Sequence, residues 1–353
     1  MKGHSVIDQM KTKNFYIILL FIAATSVSLW LFSYPSSSFR VMVSKTHKQI
    51  NNIKYLPSNI EDVRELTVDP LYLHALGFTK QLTEENTDSS ANMPVIATAV
   101  EPGKFEESVH LMRSVQKHLP SSHMVIFDLG LSKSQKIMLG KQCNSTWHCS
   151  VRLLRFDKLP SHVQYLESKS YRPICIQKIL NDFGAVIWTD TSQYFASSGL
   201  NQSLIDQAKK VGLVAWTIVD STSSLTHPKM FQYFKTKQEE FYFHRAIEAS
   251  HLIIYNTKSI HEKLMLPWVK CALLEDCISP TGAQNVGCNH FRKPLFRYSG
   301  CHHYDMSALN IILGIVFDFR VETYTTKLKV FDTLNKYKNN STTPGLMAAR
   351  LAH

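Results

Sequence analysis

The chain has 353 residues, of which 44% are hydrophobic, and 39 Lys and Arg face 28 acids for a formal charge of +11. That length and composition exclude a disordered chain and allow one large domain with appendages. The positive excess is spread along the chain without a basic tract, zinc-finger spacing or RNP-like motif, so it suits anionic ligands such as nucleotide diphosphates or acidic glycans and points to no nucleic acid.

The run from Asn14 to Phe39 carries no acid, Lys or Arg, and its core, Phe15 to Phe32, is long enough to span hydrocarbon as a helix. Lys2, Lys11 and Lys13 precede it against one acid, Asp8. By the positive-inside tendency this predicts a cytosolic tail (1–13), a transmembrane signal anchor (14–34) and a lumenal remainder, with a cleaved signal peptide as the alternative. Sequons at Asn144, Asn201, Asn339 and Asn340 fit a lumenal glycoprotein. So do the cysteines: 143 and 149 form one cluster, 271, 277, 288 and 301 another, and Cys175 stands alone in an expected helix. The expected bridges are Cys143–Cys149 and two within the second cluster; zinc is a competing reading that lacks a C-x2-C pair.

Residues 35–91 read as a polar stem with short helical signals. Ser58–Glu61 has capping-box spacing, and Asp69-Pro70 up to Gly77 has an N-cap acid, a first-turn proline and a glycine stop. From residue 92 to 333 strands and helices alternate. Strands are expected at Val95–Val100, His123–Gly130, Ser150–Phe156, Ala185–Asp190, Gly212–Asp220 and His251–Thr257. Phe105, Val109, Met112, Val115 and Leu119 recur at helical spacing, and Pro173 and Gly184 bracket a helix. Residues 334–353 form a C-terminal tail. Alternation of this kind predicts an α/β fold, a mainly parallel sheet with helices on both faces, which binds ligands outside the carboxyl ends of its strands.

The acids at those ends are therefore candidates. Asp190 closes "AVIWTD" and is followed by Thr191 and Ser192; it either helps hold a divalent cation and a diphosphate or caps the next turn. "CHHYDMSALNIIL", Cys301 to Leu313, places Asp305 near a helix start after His302 and His303. Asp305 either serves the helix dipole or, with His303, orients or deprotonates an acceptor hydroxyl. Arg172 opens the helix before the Asp190 strand, where it either reaches a diphosphate or is a plain surface arginine, and Glu101 follows the first strand. His227 is a groove or loop residue, and Trp188 and Trp216 belong to the core. The single glycine of "TAVEPGKF" argues against a methyltransferase, and no phosphosulfate loop supports a sulfotransferase.

Four segments carry a family likeness: "VIATAV", "YRPICIQKILNDFGAVIWTDTS", "THPKMFQYF" and "HHYDMSALNIIL". From about Met93 to Leu313 the chain resembles GT-A-fold glycosyltransferases, the nucleotide-diphospho-sugar transferase superfamily, and within it a group of animal type II membrane proteins. The resemblance implies a GT-A-like, Rossmann-like domain in the Golgi or ER lumen that moves a sugar from a nucleotide-sugar donor to a glycan or glycoprotein acceptor. It places Asp190 in the metal and diphosphate site, with Mn2+ or Mg2+, and makes Asp305 a base or sugar contact. Glu101, Arg172 and Ser192 would line the nucleotide. The usual D-x-D reads Asp190-Thr191-Ser192 here, so an inactive lumenal binding protein on the same fold is the alternative.

Overall fold

The computed structural model describes residues 20–26, 64–79, 93–144, 147–197, 200–291 and 293–334. The chain divides into two units, Met1–Asp62 and Val63–His353. In the first, residues 20–26 are helical; the rest of the expected anchor lies outside the described residues. Among the described residues no helix is long and apolar enough to cross a membrane.

The second unit is built on a six-stranded sheet. Its strands are β1 (Val95–Val100), β2 (Met124–Asp128), β3 (Cys149–Leu153), β4 (Ala185–Thr189), β6 (Leu213–Val214) and β9 (His251–Tyr255), in the spatial order β3-β2-β1-β4-β9-β6. The helices are α1 (Pro70–Ala75), α2 (Phe105–His118), α3 (Lys133–Gln142), α4 (Tyr171–Phe183), α5 (Gln202–Val211), α6 (Pro228–Tyr233), α7 (Leu266–Leu273), α8 (Glu275–Ile278) and α9 (Asp305–Val316). Short pairs complete it: β5 (Gln193–Phe195) with β10 (Phe331–Thr333), and β7 (Thr217–Ser221) with β8 (Arg245–Ile247).

Both faces of the central strands β1, β2, β4 and β9 are covered, which is why they read as apolar runs, whereas the edge strand β3 is partly exposed. Side chains alternate between two cores. Ile96, Val100, Ile187 and Ile253 pack with Val109 and Met112 of α2 and Leu204 of α5. Ala97, Val186, Trp188, Leu252 and Ile254 pack with Ile176 of α4, Trp268 of α7 and Leu309 of α9. Local chemistry sets the helix ends. Ser132 and Gln135 form a capping box at α3, and Asp69 caps α1 by accepting from the Leu71 N–H. Gly212 ends α5 at φ +88°, where a Cβ would lie 2.4 Å from Cγ1 of Ile260, so only glycine fits.

Three features differ from the sequence reading. The expected strand Gly212–Asp220 is broken: Ala215 turns out to bridge Thr325, and its second half becomes β7 in another sheet. The strand at 251–257 runs antiparallel to β4, with Ile187 opposite Ile253. Residues 64–79, read as stem, pack on the domain core, with Leu76 buried and Leu66, Val68, Tyr72 and Phe78 against it.

Cys143–Cys149 joins the end of α3 to β3, Cys271–Cys277 joins α7 to α8, and Cys288–Cys301 closes the loop before α9. The bridges leave no clustered thiolates for the zinc reading; Cys175 is free and buried in α4. Asn144 and Asn201 are exposed, whereas Asn339 and Asn340 lie outside the described residues.

Candidate functional site

The strand order reverses between β1 and β4. Chain succession runs outward from β1 to β2 and β3, then returns to β4 on the other side. In parallel sheets such a reversal opens a crevice at the carboxyl ends of the two strands. Glu101 follows β1 and Asp190 follows β4, so both stand at this crevice. The N-terminus of α4 points into it because that helix runs back along the sheet to begin β4.

At the centre is Arg172, in the first turn of α4 and 4% exposed. Its Nη2 donates to Oδ2 of Asp190 at 2.6 Å and its Nε to Oδ1 at 3.3 Å. Its Nη1 donates to Oδ2 of Asp305, 133 residues further on. Asp190 also accepts from the Trp188 indole N–H at 3.0 Å, so this core tryptophan has a polar task. The Asp190 backbone N–H donates to the Ser250 carbonyl, and its carbonyl starts the turn to Gln193. Its side chain caps nothing; it faces the guanidinium.

A second pair stands beside this one. Glu101 accepts from Tyr171 Oη at 2.8 Å and from the ammonium of Lys169. Lys169 sits at φ +53°, in the left-handed region that costs a non-glycine residue energy. Tyr304, directly before Asp305, has φ +49° and ψ −113°. Strained residues of this kind persist where the surroundings over-determine them, which is common at functional sites.

Burial and charge set the protonation of the two acids apart. Burial pushes both carboxyls up. For Asp190 the Arg172 and Lys169 charges and the bonds from Arg172 and Trp188 outweigh burial and hold it below the usual range. Asp305, with 2% of its side chain exposed, is pushed up to about 6 because burial outweighs Arg172 and the Asp190 charge adds to it. Burial alone would lower Arg172, but the two carboxylates win and hold it firmly protonated.

The other candidates lie outside this cluster. His302 is a core residue: its Nδ1 accepts from the His227 N–H and its Nε2 bonds the Ile278 carbonyl, while burial depresses it to about 3. His303 shares no hydrogen bond with Asp305; its backbone N–H bonds Ser307 and its Nε2 is buried without a partner. Asp220 and His290 are its charged neighbours. Ser192 is half-buried in the turn after Asp190, where its carbonyl accepts from the Leu334 N–H. Asp128, another strand-end acid, is structural: it accepts from the Gly130 and Leu131 N–H groups and pairs with Lys136.

No family model matches the chain, and no curated protein matches it in sequence. Among solved structures it is similar to the WbbM bifunctional glycosyltransferase, at 10% identity and a TM-score of 0.40, over 62% of this chain and 37% of that one. The chain therefore spans well under half of that protein. It is also similar to mouse xyloside xylosyltransferase 1, at 9% identity and a TM-score of 0.40, over 71% of this chain and 99% of that one. A third likeness is to core-mannan synthase A from Aspergillus fumigatus in its Mn/GDP form, at 8% identity and a TM-score of 0.40, over 79% and 82% of the two chains. These are distant likenesses, and what the crevice can do is decided by its own residues.

Chemically, the crevice suits an anion. Lys169 and Arg172 converge there beside the α4 N-terminus; the Arg172 backbone N–H is bonded to the Lys169 carbonyl and Pro173 has none, so the two side chains supply the positive charge. Arg172 spends three of its five side-chain N–H donors on the two carboxylates and has 5% of its side chain exposed, so it acts on the crevice through its charge, while the part-exposed Lys169 ammonium can touch a ligand. A divalent cation fits less well. Asp190 already accepts three bonds, two of them from a cation, and the neighbouring Thr191 and Ser192 add no charge. No cluster of three His, Cys, Asp or Glu suited to a metal is gathered among the described residues. A cavity of about 610 Å³ lies elsewhere, between α1, β3 and α4, lined by Tyr72, Leu154, Arg155 and Lys178 among others. It contains none of the cluster residues, and the crevice with its converging charges is the better candidate.

Lys169 and Tyr171 escaped the sequence reading. Their only signal was position: Lys169 just before, and Tyr171 at the first residue of, a helix that leads into an acid-terminated strand.

Proposed function

We propose that this chain is a glycosyltransferase that moves a sugar from a nucleotide-sugar donor to a glycan or glycoprotein acceptor, in the Golgi or ER lumen and anchored by its N-terminal segment. The observation that carries the reading is the convergence of Glu101, Lys169, Arg172 and Asp190 at the strand-order reversal between β1 and β4. The diphosphate would lie against Lys169 with Arg172 beneath it, where positive charge stabilises the leaving nucleotide. Glu101 would accept from a hydroxyl of the nucleoside. Asp305 is too enclosed to meet an acceptor and instead aims Arg172; the acceptor would meet His303 and Asp220 beyond it.

The spending of Asp190 and Asp305 on one arginine favours a second reading, a binding protein that holds a nucleotide or glycan without transferring it. A screen of nucleotide sugars against the purified chain separates the two. Release of free nucleotide, lost in Arg172→Met, supports transfer; binding without release supports the second reading in its nucleotide form; no binding by any donor refutes transfer and leaves only a glycan-binding protein.

A further inference from the structure

The carboxylate at the end of β4 has a counter-ion built into the fold. Arg172 bonds Asp190 through Nε and Nη2 and is held from its far side by Asp305. With 5% of its side chain exposed, the guanidinium has no room to swing out while Asp305 keeps its place. An ionised carboxylate offers about four acceptor positions. Arg172 and the Trp188 indole fill three on Asp190. Mg2+ demands near-ideal octahedral oxygen geometry and is bound through one or two carboxylates plus phosphates, and the neighbouring carboxylate of Asp305 is enclosed and itself bonded to Arg172. A cation on the remaining position would also face the positive charge of Arg172 across a single carboxyl group.

We infer that Arg172 takes the place of a divalent cation at Asp190, so that the crevice binds a nucleoside diphosphate without metal. The nucleotide arm of this inference rests on the donor-site reading above; the metal arm does not. Arg172 supplies its positive charge from the floor of the crevice, and the ammonium of Lys169, with 32% of its side chain exposed, makes the direct contact with the phosphates.

The test uses the full chain and two probes. Mn2+ is titrated and its binding counted from the loss of the free-ion electron paramagnetic resonance signal, for wild type and Asp190→Asn. UDP and GDP are titrated by calorimetry in EDTA and again in Mn2+. The expected results are equal Mn2+ counts for the two proteins and a nucleotide affinity that changes less than twofold between the two buffers. A stoichiometric Mn2+ site present in wild type and lost in Asp190→Asn would overturn the inference, as would a tenfold or greater gain in nucleotide affinity with Mn2+. Should neither nucleotide bind in either buffer, the donor reading fails for them, and the Mn2+ count still decides whether Asp190 carries a metal.

Discussion

Replacing Asp305 with asparagine isolates the buried end of the acid–arginine–acid cluster. Asp305 has its carboxyl raised from 3.8 to about 6. Between those values the folded protein holds a proton that the unfolded chain has released, so stability falls as pH rises through the window. At about 1.36 kcal/mol per pKa unit, the whole effect is about 3 kcal/mol. Asp190 has the opposite sign: its depressed carboxyl contributes stability above 3.8 that is lost only at lower pH, outside this window. The assay is urea unfolding of wild type and Asp305→Asn at intervals from pH 4 to pH 7. Groups that titrate alike in both proteins cancel in the difference. The wild-type-minus-variant curve is expected to fall by about 2–2.5 kcal/mol between pH 4 and pH 7, most steeply near pH 5, midway between the unfolded and folded values. A flat difference would show that burial does not set Asp305. A rising one would show that the guanidinium dominates and keeps it ionised, and either result refutes the ordering of the two acids.

Further outcomes follow from the same contacts. Arg172→Met should cost about 3–5 kcal/mol in urea unfolding, because it leaves two enclosed carboxylates without their partner; a loss under 1 kcal/mol would contradict the central role given to this residue. Lys169→Gly relieves a left-handed backbone worth about 1–2 kcal/mol and loses a part-exposed ion pair worth up to about 1 kcal/mol. Its stability should therefore stay equal or rise slightly while UDP and GDP affinity drops, and unchanged affinity would remove Lys169 from the site. Asn310→Ala should destabilise by about 1–3 kcal/mol, since the Asn310 side chain accepts from the Ile247 N–H and donates to the Ile247 carbonyl, tying α9 to β8. His303→Ala should raise KM for the acceptor and leave nucleotide affinity alone; the reverse pattern would move His303 to the donor side.

The parts of this protein that sequence made legible are those fixed by local chemistry. The caps at Asp69 and Gly184, the apolar strands β1, β2 and β4, and the Cys143–Cys149 bridge follow from residues close together in the chain. The direction of β9 did not, because a strand buried on both faces has the same apolar run whether it lies parallel or antiparallel. The break between Leu213–Val214 and Thr217–Ser221 was hidden for a related reason: Ala215 and Trp216 continue the apolar run while their partners, Thr325 and Leu328, lie more than a hundred residues away. In the site, Asp190 and Glu101 could be placed at strand ends near one crevice, whereas Arg172, at a helix start, reads equally as a surface residue and proves buried. That Arg172 would hold Asp190 and Asp305 together could not be read, since no periodicity links residues 133 positions apart. His303 drew attention through its neighbours in sequence, yet the fold points it toward Asp220 and His290 and leaves Asp305 to the arginine.

The most direct measurement is diffraction from crystals of the protein soaked with the tightest-binding nucleotide found in the donor screen. Phosphate density between Lys169, Arg172 and the first turn of α4, with the nucleoside toward Glu101, is the predicted result. Density in the cavity between α1, β3 and α4, with the crevice unchanged, would contradict it.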